Sequence, residues 1–150
     1  MKIVKYITVS IIILGLLIPI TFVHAAGCNG STCNSLDPHQ MGCDGSDSQI
    51  IGTVIWSGYS GTLWTTLRYS PSQTCYANWT RTWNQNYDIR HLRAQLTNDD
   101  DIYSLVQYDD SSSYAVLWSP MNTAAYRYCA IGKMGPTGGS FDTITDPTCG

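Results

Sequence analysis

The chain contains no glutamate: all 11 of its acidic residues are aspartates, and of its three lysines only Lys133 lies beyond residue 5. Two of the commonest solvent-side helix formers are therefore almost missing, which argues against a helical architecture. No Cys-x-x-Cys pair, Gly-x-Ser-x-Gly elbow or phosphate-binding glycine loop occurs, and a His-Glu-x-x-His helix cannot exist without glutamate. Beyond residue 25 the histidines are His39 and His91, so a zinc centre or a Ser-His-Asp triad has little to draw on. No cofactor is expected. Beyond residue 25, 6 basic side chains stand against 11 acidic ones, which excludes a nucleic-acid binder driven by backbone charge and removes any polybasic membrane contact.

The N-terminus has a different character. Lys2 and Lys5 precede an apolar run from Tyr6 to Val23, and Val23-His24-Ala25 places small residues at the positions a signal peptidase reads. Residues 1–25 read as a signal peptide and 26–150 as a single secreted β domain of 125 residues, with no stable membrane anchor after cleavage. A retained transmembrane anchor is the alternative, since the run is about long enough to span a bilayer. Gly15 and Pro19 within the run favour cleavage. A lipoprotein modified at Cys28 would strand one thiol.

All six cysteines, Cys28, Cys33, Cys43, Cys75, Cys129 and Cys149, follow the leader. An even set in a small exported domain implies disulfides. Three bridges allow 15 pairings, among which sequence does not choose. The pairing carried forward is Cys28 with Cys33, Cys43 with Cys75, and Cys129 with Cys149, which would tie the N-terminal segment to a hairpin and the C-terminus to the penultimate strand.

After residue 25 there are 14 threonines, 14 serines, 9 tyrosines and 5 tryptophans, residues suited to pleated surfaces and turns. Residues 26–48 are rich in Cys, Gly and Asp without an apolar period and read as a disulfide-tied loop. Strand-like runs follow at Ile50–Trp56, Thr62–Ser70, Cys75–Trp83, Asp88–Leu96, Ile102–Tyr108, Tyr114–Trp118, Ala124–Ile131 and Ser140–Ile144. Ile89, Leu92 and Leu96 would also suit a helical face. The expected fold is an all-β sandwich or small barrel of about seven to eight short strands.

Leu67-Arg-Tyr-Ser-Pro71, Cys75-Tyr-Ala-Asn-Trp79-Thr-Arg81, Cys28-x-Gly-x-x-Cys33, Asp37-Pro38, Gly42-Cys43, Trp118-Ser-Pro-Met121 and Cys129-Ala130 occur together. In this combination the chain resembles the YjfA-like secreted family, catalogued as a domain of unknown function, over roughly Cys28 to Cys149. The resemblance implies a bacterial, exported, cysteine-bridged protein and carries over no catalytic residue or ligand.

Alternation places Leu63, Thr65, Leu67 and Tyr69 on one face of their strand and Trp64, Thr66 and Arg68 on the other. In the next strand Cys75, Ala77, Trp79, Arg81 and Trp83 share a face, and Trp79 is expected inward against the cysteine. Arg68 and Arg81 are expected as surface or cross-strand partners of Asp or Tyr. Asp37, Asp44, Asp47 and Asp99 to Asp101 sit in turn-forming surroundings, so neither a catalytic pair nor a calcium loop is preferred over solvated turn carboxylates. Exposed aromatics on a rigid scaffold suit binding, and Trp64, Trp83 and Tyr87 are the candidate ligand-binding residues. The expected function is non-enzymatic extracellular binding of a glycan, cell wall or protein surface, with an aspartate-based extracellular hydrolase as the alternative.

Overall fold

The computed structural model describes residues 28–45, 47–72, 75–101 and 105–150. The leader, its cut after Ala25, and Ile102 at the start of the fifth expected strand lie outside these residues. The strands are β1 (Gln49–Gly58), β2 (Gly61–Ser70), β3 (Ala77–Asn84), β4 (His91–Asn98), β5 (Leu105–Ser111), β6 (Val116–Trp118), β7 (Asn122–Thr123), β8 (Tyr128–Gly135), β9 (Thr143–Ile144) and β10 (Thr148–Cys149). A 3-10 turn at Gly30–Cys33 precedes them, and no α-helix occurs among the described residues. None of their helices is therefore long and apolar enough to cross a membrane. The run whose spacing also suited a helix is β4, because both its backbone edges are taken up by β5 and β8.

The strands form two antiparallel sheets, confirming the all-β sandwich. The first has the order β1-β2-β3-β6, with β7 also on β3; the second has the order β10-β8-β4-β5, with β9 also on β8. Strands β7, β9 and β10 have two residues each, too short to show a period of two, and they bring the total above the seven or eight expected. Leu63 and Leu67 point from β2 toward Leu92, Ala94 and Leu96 of β4 and Ala130 and Met134 of β8, forming two apolar clusters between the sheets. Between the clusters the sheets approach closely. A Cβ on Gly132 would lie 1.9 Å from Thr65 Oγ1, so only glycine fits there. Buried Thr80 donates its hydroxyl to the Gln95 carbonyl at 2.8 Å, so a threonine-rich interior is reached without stranding that polar group.

A third cluster lies outside the sandwich. Across the β2–β3 ladder Trp64 pairs with Trp83 and Arg68 with Trp79, and directly opposed residues share a face. Trp79 and Trp64 therefore project from the same outer face of the first sheet, so Trp79 is buried against the Cys43–Cys75 bridge as expected, but outside the sandwich and not between its sheets. Trp79 is buried because residues 28–45 fold over its half of that face, packing Cys28, Cys33 and Cys43 around the indole together with Cys75 and Met121. The bridges are Cys28–Cys33, Cys43–Cys75 and Cys129–Cys149, the pairing carried forward from the sequence.

The Trp118-Ser-Pro-Met121 motif fastens this cover. Pro120 has no N–H, so the strand breaks between β6 and β7. Ser119 fills the gap: its N–H donates to the Thr80 carbonyl and its Oγ accepts the Thr80 N–H, each at 2.9 Å. Met121 then turns its backbone to the N-terminal segment, donating to the Leu36 carbonyl at 2.8 Å and accepting from the Ser35 N–H at 2.9 Å.

Candidate functional site

The uncovered half of the outer face carries a ladder of rings. Trp64 and Trp83 stack with centroids 5.9 Å apart and planes 19° from parallel. The Arg81 guanidinium lies 4.8 Å from the Trp83 centroid and 5.9 Å from that of Trp118, and His39 stacks on Trp118 at 5.0 Å and 13°. Period-two alternation on β3 sets Arg81 beside Trp83, and pairing of Arg81 with Trp118 brings in β6. Arg81 thus partners indoles rather than the Asp or Tyr expected. Arg68 instead donates to Ser48 Oγ, and burial together with the charge of Arg81 lowers its pKa below the ordinary value while Asp44 works against that shift.

The ladder ends in a cleft of about 300 Å³ lined by Asp37, His39, Gln40, Asp109, Tyr114, Val116, Leu117 and Trp118. Its wall on the N-terminal side is held by Asp37, whose Oδ1 accepts the N–H groups of His39 at 2.7 Å and Gln40 at 3.1 Å. His39 Nδ1 lies 2.9 Å from Asp44 Oδ2, which holds the imidazole over Trp118. The opposite wall comes from β5 and the β5–β6 loop. The cleft therefore presents two carboxylates, an amide, an imidazole and two aromatic rings on a frame fixed by Cys43–Cys75 and the Met121 backbone bonds.

Of the expected binding residues, Trp64 and Trp83 are brought together, both half-buried, at the far end of the ladder from the cleft. Tyr87 stands apart in the turn after β3, 55 % exposed, with a left-handed φ of 55°. Of the turn aspartates, Asp37 reaches the cleft, Asp44 orients His39, and Asp99 pairs with Arg127 at 3.2 Å. Asp99 also lies beside Cys129 and Cys149, but both sulfurs are joined in a disulfide and offer no thiolate to a metal. Asp109, Tyr114 and Gln40 were not singled out from the sequence. The Asp109-Asp110-Ser-Ser-Ser run has the composition of a turn, yet β5 extends through it to Ser111, which carries Asp109 to the cleft.

On the outer face of the second sheet, Asp110 accepts from Arg93 Nη2 at 2.6 Å and Nε at 3.1 Å, and its other oxygen lies 2.6 Å from His91 Nε2. His91 Nδ1 lies 2.6 Å from the Gly139 carbonyl. Both ring nitrogens thus lie within hydrogen-bonding distance of an oxygen, one on β5 and one in the β8–β9 loop. This node ties β4, β5 and the β8–β9 loop together.

Fold and site define a small disulfide-bonded all-β sandwich module, a construction compatible with an extracellular domain. Comparison with protein-family models, with curated proteins and with solved structures gave no match.

Proposed function

We propose that the protein is a secreted, non-enzymatic recognition module that binds a glycan of a cell wall or other extracellular surface in the Asp37–Asp109 cleft. One observation carries the reading: carboxylates, an amide and aromatic rings converge on one pre-organised cleft next to a half-buried aromatic ladder. Carboxylates and amides accept hydrogen bonds from sugar hydroxyls, while rings pack on the apolar faces of pyranoses. Tyr114 is 60 % exposed and supplies the ring most open to such packing. Trp64 and Trp83 would extend the surface for a longer chain. Bacterial origin and membership of the YjfA-like family belong to the same proposal and rest on the motifs quoted above.

The test is retention on insoluble peptidoglycan and on chitin, with soluble fragments as competitors. Tyr114→Ala and Asp109→Asn are expected to reduce retention about tenfold or more without changing the melting temperature. Retention unaffected by both variants would overturn the site. The second reading, a hydrolase, draws on the same two aspartates. It is less favoured because Asp109 is exposed and Asp37 Oδ1 is committed to two N–H groups, whereas a general acid needs a carboxyl held neutral by burial. Release of new reducing ends from either polymer would select it.

A further inference from the structure

Three of the four sheet edges are closed by recognisable devices. The β5 edge carries Asp109 and Asp110 and a register irregularity against β4 at Leu96/Thr97. Strands β9 and β10 have two residues each. The β6–β7 edge is interrupted by Pro120 and bonded through Met121 to the N-terminal segment. Short strands, charges, prolines and covering loops are the ordinary protections against edge-to-edge pairing.

Strand β1 has almost none of these. It runs ten residues, Gln-Ile-Ile-Gly-Thr-Val-Ile-Trp-Ser-Gly, without a charge, and among the described residues pairs only with β2. Its one irregularity, at Ile50/Gly52, leaves Gly52 to Gly58 in regular register. The β1–β2 hairpin closes over the two-residue loop Tyr59–Ser60, so Gly58 and Gly61 form a hydrogen-bonded pair. Alternation from there gives Trp56 and Val54 to the ladder with β2 and points the backbone groups of Ser57, Ile55 and Thr53 outward.

We infer that β1 is a homodimer interface, in which the β1 strands of two copies pair antiparallel about a two-fold axis through Ile55. The sequence of the strand selects a second copy as occupant. In that register Ile55 opposes Ile55, Val54 opposes Trp56, and Thr53 opposes Ser57, so apolar residues meet apolar residues and hydroxyls meet hydroxyls across the axis. Ile55 is 47 % exposed and Trp56 45 % exposed, so both have apolar surface left to bury. Ile55 also sits beside Trp64 on the outer face, and pairing would join the two aromatic ladders into one apolar row. The inference stands apart from the glycan reading, although a dimer would present two clefts to one surface.

Sedimentation velocity on the disulfide-bonded protein over a concentration series is expected to show a reversible dimer. Ile55→Lys sets two ammonium groups across the axis and should weaken dimerisation about a hundredfold. Leu105→Lys on the β5 edge should leave it unchanged. Hydrogen exchange is expected to show the Thr53, Ile55 and Ser57 amides protected in the dimer and fast in the monomer. A one-chain mass at about 1 mM, or a dimer insensitive to Ile55→Lys, would overturn the inference. So would protection of those amides in a one-chain species, which would give the edge to another segment of this chain.

Discussion

The guanidinium of Arg81 lies over the indole of Trp83, 4.8 Å from the ring centroid, and the same group reaches Trp118 on β6 at 5.9 Å. Its Nε is buried without a hydrogen-bond acceptor among the described residues, so ring faces supply much of its stabilisation. Arg81→Ala is expected to cost about 1–2 kcal/mol of stability. Arg81→Lys should recover only part of that, because an ammonium keeps the charge but not the plane that stacks between two indoles. Urea unfolding of the two variants checks the order, and an Arg81→Ala protein as stable as wild type would show that the ladder is incidental.

The three disulfides should differ in value. The Cys43–Cys75 bridge spans 32 residues, Cys129–Cys149 spans 20, and Cys28–Cys33 spans 5. In the chain-entropy description longer loops gain more, giving roughly 4, 3 and 2 kcal/mol respectively. Paired Cys→Ser variants are expected to melt in that order, with the loss of Cys43–Cys75 the most damaging because that bridge also packs on Trp79. The unreduced, unfolded protein should take up no thiol label.

Asp110 predicts a response to acid. Partial burial pushes its carboxyl up, but hydrogen bonds and charges from Arg93 and His91 outweigh burial and hold it below the usual carboxylate range. A folded-state pKa below the unfolded value of about 3.9 means that the stability it contributes is present above that value. This stability is lost as pH falls through the folded one. Asp110→Asn should therefore cost about 1–2 kcal/mol near neutrality, with allowance for solvent screening of a group about a quarter exposed, and flatten the loss of stability on acidification. Melting temperatures at pH 7 and pH 3 decide it: equal acid slopes for the two proteins would remove Asp110 from the account.

Local pattern made the sheet residues readable. Leu63, Thr65 and Leu67 alternate with Trp64, Thr66 and Arg68 as a half-buried strand requires, and the missing glutamates and lysines pointed to β-structure before any strand was placed. Pattern within one strand does not say what lies above its outer face. Trp79 and Trp64 present the same periodicity, and their different burial comes from a segment more than thirty residues upstream that is fastened by backbone bonds to Met121. The cleft was hidden for the same reason. Asp37 and Asp109 come together only because the N-terminal segment wraps the β6–β7 edge, an arrangement set by tertiary contacts and by Pro120 rather than by any spacing between the two aspartates.

Trp79 and Trp64 provide the sharpest check on this arrangement, because they share a sheet face and differ in what covers them. Trp79→Ala empties the centre of the cluster formed by Cys28, Cys33, Cys43, Cys75 and Met121 and is expected to cost ~3–5 kcal/mol, as for other large-to-small core changes. Trp64→Ala removes a half-buried ring with one stacked partner and should cost about 1 kcal/mol. Because Trp79 packs under the N-terminal segment and not between the sheets, its loss should act locally first. Amides of Leu36, Met41 and Cys43 should exchange faster in Trp79→Ala, while those of Leu92, Ala94 and Leu96 keep the protection of the inter-sheet core. If Trp79→Ala instead loosens the β4 amides as much as the N-terminal ones, the indole belongs energetically to the sandwich core, and residues 28–45 are not the cover that separates these two tryptophans.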